Sequence, residues 1–162
     1  MSRLAIVGGG SWGTALAIVL APRYAQRNER IALWTHESDL PARMAISRDN
    51  DVYLPGFELP ANVEPGSDLQ AALDQATVVL SVMPSRFVRQ LYESMLPYLT
   101  PQMTFVSATK GIETGTLLRM SEVIQEVVGA RFEPHIAILS GPTFAREIAR
   151  GEPAAVVISS HD

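Results

Sequence analysis

Cysteine is absent from all 162 residues. That excludes disulfides and thiolate metal sites, and it suits a reducing, cytoplasmic setting. Charge is sparse as well: 19% of residues are charged and the formal net charge is −4. Such a balance offers no basic footprint for nucleic acid and no polybasic patch for a membrane surface. Long apolar runs are missing too. The first one, Leu4–Val7, is too short to span a bilayer and breaks into glycine instead of a cleavage signal, so no targeting segment is expected. No His/Asp/Glu spacing suggests a metal, and no Ser–His–Asp arrangement is apparent; His135 and His161 read as surface residues. What the chain does have is a 47% hydrophobic composition, enough for one soluble globular domain with a sizeable core.

The apolar residues fall into short runs: Leu4–Val7, Ile31–Trp34, Val78–Val82, Thr104–Ser107, Ile136–Leu139 and Ala155–Ile158. Nearly continuous apolar strands fit a parallel sheet buried on both faces. Between them, Leu16, Val19 and Leu20 share one helical face, and Phe87, Val88, Leu91 and Met95 share another. Leu117, Met120, Val123, Ile124 and Val127 form a third. This alternation predicts an α/β domain, doubly wound, with a mainly parallel sheet and helices on both faces. Two connections stand apart. Pro22 is expected to end or kink the first helix before the polar link Arg23–Arg30, and the proline-rich segment from Asp49 to Asp68 reads as a long surface excursion.

Directly after the first strand comes Gly8-x-Gly10-x-x-Gly13. In that position it is the Rossmann-like dinucleotide fingerprint: one glycine for the tight turn, one admitting a pyrophosphate, one for close helix–strand packing. Amides around Ser11 and Trp12 would then face the phosphates. A glycine-rich structural turn, or a site for another nucleotide, is the alternative. The second strand ends Trp34-Thr35-His36 with no carboxylate, and Glu37 follows late. NAD-preferring domains place an acid at that point. His36, with Arg43 or Arg48 nearby, suits a 2′-phosphate instead, so NADP is favoured over NAD.

Ligands in such sheets lie beyond the carboxyl ends of the strands. Pro84 follows the third strand and reads as a helix-start signal. The fourth strand runs into Ala108-Thr109-Lys110-Gly111, placing a cation at a strand tip. The fifth runs into Ser140-Gly141-Pro142-Thr143, where a strand-to-helix turn would offer amides and a hydroxyl to an anion. Lys110 and Thr143 are therefore expected together around a small anionic substrate.

The stretches "VGGGSWGTALA", "LW" with a following His, "LPG" with a later "LP", "ATKGIE" and "SGPTFAREIARG" resemble, in order along the chain, the bacterial NAD(P)-dependent glycerol-3-phosphate dehydrogenases. The resemblance implies interconversion of dihydroxyacetone phosphate and sn-glycerol 3-phosphate with NADP or NAD, feeding glycerophospholipid synthesis. Carried over by position, Gly8, Gly10, Ser11, Trp12, Gly13, His36, Lys110 and Ala145 are expected to meet the cofactor. Lys110, Gly141 and Thr143 are expected to meet the phosphorylated substrate. Family members are about twice this long; their carboxy-terminal helical domain carries the catalytic lysine and is where a homodimer would form. That domain is missing here, so no catalytic residue is expected within residues 1–162. The extra length around Arg23–Arg30 departs from the family only in a surface loop. A stand-alone, non-catalytic dinucleotide-binding or sensing module is the alternative reading.

Overall fold

The computed structural model describes residues 3–160; His161 lies outside the described residues. Strand β1 (Arg3–Val7) leads into helix α1 (Ser11–Ala25), followed by β2 (Ile31–Trp34) and α2 (Leu40–Ser47). A small hairpin of β3 (Asp49–Asn50) and β4 (Leu54–Glu58) precedes β5 (Val63–Gly66), α3 (Leu69–Leu73) and β6 (Ala76–Ser81). Then come α4 (Val88–Met95), β7 (Thr104–Ser107), α5 (Met120–Gly129), β8 (His135–Ser140), α6 (Ala145–Ala149) and β9 (Val157–Ser160).

The main sheet runs β5-β2-β1-β6-β7-β8-β9, parallel throughout except for antiparallel β9. After β5 the chain crosses to the other side of β1, so the order reverses between β1 and β6. A crevice opens at such a switch point. Val7 is level with Trp34 and Ser81, Ser81 with Ser107, and Ser107 with Ile138. The segments that follow these strands therefore emerge along one edge.

Alternation along β1 builds two cores. Leu4 and Ile6 join Leu33 of β2, Leu16 of α1 and Met44 of α2; Ala5 and Val7 join Phe105 of β7, Tyr92 of α4 and Ile124 of α5. Burying one such large side chain contributes about 1.5–3 kcal/mol. The doubly wound expectation is met: this is a Rossmann-like sheet with helices on both faces.

Several local expectations are corrected. Helix α1 buries Gly13, Ala15, Leu16, Ala17 and Ala21, while Val19 is 45% exposed. Small residues form the contact because the helix packs closely on the sheet. Pro22 sits inside the helix, which continues to Ala25. Phe87 is exposed ahead of α4, where Tyr92 takes the buried place; Leu117 lies outside α5, exposed, at φ 61°. The last strand starts two residues later than expected, and all its residues are exposed. The excursion from Asp49 to Asp68 is partly regular, forming the β3–β4 hairpin and edge strand β5. His135 is exposed, as expected. Among the described residues, no helix is long and apolar enough to cross a membrane.

Candidate functional site

The turn after β1 is held by its own backbone. The Gly8 and Gly9 N–H groups both donate to the Trp34 carbonyl, at 3.1 and 2.8 Å. Gly8 has φ +125°, and a Cβ there would lie 1.9 Å from the Val82 oxygen. A Cβ on Gly13 would lie 1.9 Å from the Gly8 oxygen. These two glycines let strand, turn and helix touch. Gly10 differs: a Cβ there would meet nothing within 4 Å, so this position borders open space. No side chain caps α1 at Gly10, and no acidic residue lies in its first turn. The partial positive charge of the helix N-terminus is thus presented uncompensated. An open cradle beside free helix amides fits a pyrophosphate.

Trp12 reaches from α1 into a cleft of about 770 Å³, which Lys110, Gly141 and Thr143 also line. Lys110 Nζ donates to the Thr143 carbonyl at 3.1 Å, so these two expected partners do meet. Helix α6 has five residues and begins at Ala145, two positions after Thr143, with Phe144 at its cap. Gly141 has a packing reason for its size, since a Cβ there would lie 2.6 Å from the Ala155 oxygen. Ala145 faces a second hollow with Ser11 and Tyr53. Pro84 opens a 3-10 turn at Ser85–Phe87, as the helix-start reading expected.

The second strand tip requires a correction. His36 is exposed, with its ring edge-on to Trp34. Of the two arginines, Arg48 is committed elsewhere, whereas Arg43 keeps a half-exposed side chain. Arg43 pairs with Asp51 and Asp39. Arg48 donates to the carbonyls of Leu59, Pro60 and Val63, tying the excursion together. A side chain spent on three carbonyls is not a free cation. Glu37 accepts from the Tyr53 hydroxyl, and that bond raises the tyrosine pKa.

Three groups escape the sequence reading. Tyr53 comes to the second hollow from the β3–β4 turn. Asn50, fully buried, bonds to the glycine turn itself. Glu113, three residues beyond Lys110, accepts two bonds of 2.9 Å from Arg89, which also reaches Glu126 at 2.8 Å. This network pins the Lys110 loop to α4 and α5, and the Arg89 guanidinium holds the Glu113 carboxyl below the usual range. Only the KGIE wording hints at Glu113; nothing in periodicity marks the other two. No group of metal-ligating side chains occurs among the described residues.

A family model described as the NAD-dependent glycerol-3-phosphate dehydrogenase N-terminus matches residues 3–162. Glycerol-3-phosphate dehydrogenase (NAD(P)+) of Koribacter versatilis is 50% identical over 162 residues, all of this chain and 47% of the relative. The protein of that name from Nocardia farcinica is 45% identical over 167 residues, all of this chain and 48% of the relative. Among solved structures, glycerol-3-phosphate dehydrogenase of Coxiella burnetii superposes with a TM-score of 0.88 at 33% identity, covering 99% of this chain and 47% of that one. The chain spans about half the length of the curated relatives it matches.

Proposed function

This chain belongs to the NAD-dependent glycerol-3-phosphate dehydrogenase N-terminus family, and from that membership we propose that it is the dinucleotide-binding half of an oxidoreductase interconverting dihydroxyacetone phosphate and sn-glycerol 3-phosphate. The observation that carries the reading is the shared cleft: α1 turns Trp12 into the space that Lys110 and Thr143 line. The Gly10 cradle and the amides of Ser11 and Trp12 hold the pyrophosphate. When bound, the nicotinamide supplies or accepts a hydride. Lys110, steered by the Thr143 carbonyl, holds the substrate anion and steadies charge on the carbonyl oxygen. The acid/base lysine belongs to a second, helical domain, which is also the dimer contact. The setting is cytoplasmic, and the product feeds glycerophospholipid synthesis.

The test uses the whole dehydrogenase. A charge-assisted contact contributes about 1.5–3 kcal/mol, so Lys110→Ala lowers kcat/KM for dihydroxyacetone phosphate by roughly one to two orders of magnitude. Near-normal kinetics would reduce Lys110 to a surface charge.

NADP is the favoured cofactor, with NAD accepted, because no carboxylate closes the tip of β2 and His36 stands exposed beside it. Thr35 is buried, so His36 is the position at which added charge is informative. His36→Asp weakens NADP+ binding more than NAD+ binding through like-charge repulsion. An unchanged affinity ratio would place the ribose elsewhere.

A further inference from the structure

The amide of Asn50 has a settled orientation. Its Nδ2 donates to the Gly9 carbonyl and to Thr14 Oγ1, each at 2.8 Å, and its Oδ1 accepts from the Tyr53 N–H at 3.2 Å. Thr14 Oγ1 donates in turn to the Gly9 carbonyl at 3.3 Å. Asn50 and Thr14 are both fully buried. A carbonyl acceptor and a backbone donor on opposite sides leave only one way round for the side-chain amide. The buried ring therefore closes with every donor matched to an acceptor.

That ring grips one peptide unit of the glycine turn. In a trans peptide the C=O and the following N–H point in opposite directions. Drawing the Gly9 oxygen inward toward Asn50 turns the Gly10 N–H outward, onto the side where Gly10 borders open space. Within the described residues no backbone acceptor engages that N–H. Asn50 ends β3 and opens the turn of the β3–β4 hairpin, which carries Tyr53 to the hollow beside Ser11. The hairpin is braced at its far side, where Arg146 of α6 stacks over Phe57 at 5.2 Å.

We infer that Asn50 is a positioning residue: from a hairpin outside the glycine motif, it aims the Gly10 amide at the pyrophosphate without touching the dinucleotide. The inference rests on the dinucleotide reading of this site. It assigns the β3–β4 hairpin a part in setting the phosphate-binding turn, where sequence alone suggests a surface loop.

The experiment titrates this chain with NADP+, reading tryptophan fluorescence for affinity and the ¹⁵N-labelled Gly10 amide for orientation, with circular dichroism as the check on folding. In Asn50→Ala, affinity falls about tenfold, and the Gly10 resonance is displaced before ligand is added and barely moves afterwards. Thr14→Val, which removes the hydroxyl of the ring, weakens binding about fivefold; Thr14→Ser, which keeps it, restores wild-type affinity and the wild-type resonance. Should Asn50→Ala not fold, the Thr14 pair carries the test. Wild-type affinity in Asn50→Ala and Thr14→Val overturns the positioning role. So does weakened binding with an unmoved Gly10 resonance, which marks damage elsewhere. Failure of the unaltered chain to bind either NADP+ or NAD+ overturns the dinucleotide reading and the role with it, whereas binding of NAD+ alone overturns only the cofactor preference and moves the titrations to NAD+.

Discussion

Strands β1 and β9 are similarly rich in aliphatics but differ in their surroundings. In β1, "RLAIV", Leu4 to Val7 are all buried, with β2 on one side, β6 on the other and a helix layer over each face. The run leading into β9 contains Val156, Val157 and Ile158, yet these are 49%, 65% and 63% exposed. Among the described residues, β9 pairs only with β8 and runs against it, so it forms an edge of the sheet they build. Apolar composition expresses a capacity for burial; neighbours on both sides and both faces realise it. The glycine turn sits on the well-supported side of this contrast. A turn rigidly held by Trp34, Val82 and Asn50 can present amides in fixed geometry, which is what binding a pyrophosphate requires.

The contrast breaks most visibly in the middle of the sheet. Phe105 of β7 is fully buried, edge-on to Tyr92 and stacked on Phe132. Phe105→Ala should cost about 3–5 kcal/mol, whereas Ile158→Ala on β9 should stay within about 0.5 kcal/mol. Urea denaturation of both variants checks the pair. Comparable losses would mean that β9 is as deeply supported as β7.

A smaller effect is expected at the Lys110 loop. The Glu113 carboxyl titrates below its ordinary value of 4.5, chiefly because Arg89 bonds to its charged form and Thr116 adds a second bond. A depressed folded-state pKa means stability that is present above the unfolded value and lost as pH falls through the folded one. Glu113→Gln should therefore lower the melting temperature by a few degrees at pH 7, and the gap should close as the pH drops below 4.5. Thermal melts from neutral pH down into the acid range decide this. A gap independent of pH would show that the loop depends on shape and not on charge.

The parallel strands are legible in the sequence because burial on both faces leaves continuous aliphatic runs. The Gly8–Gly13 motif is legible because its spacing answers to the close contacts at Val82 and Gly8. Antiparallel β9 reads as one more buried strand, since an edge strand rich in valine looks the same in one dimension. The β3–β4 hairpin escapes because its strands are short, carry Pro55 and Gly56, and have no period-2 pattern. Arg48 misleads for a related reason. Its three carbonyl acceptors lie 11 to 15 residues away, in a fold of the chain that composition does not encode. Lys110 and Thr143 come together as expected because both follow strands whose carboxyl ends align.

The central claim is that Gly10 is left open for a pyrophosphate while Gly8 and Gly13 serve the fold. Gly10 has φ −70°, and a Cβ there would meet nothing within 4 Å, so Gly10→Val should fold with unchanged stability. The decisive measurement is a titration of both proteins with NADP+ by calorimetry, alongside their thermal melts. The account predicts matching melts and an affinity at least about tenfold weaker in the variant, equivalent to about 1.4 kcal/mol. Equal affinities would contradict it.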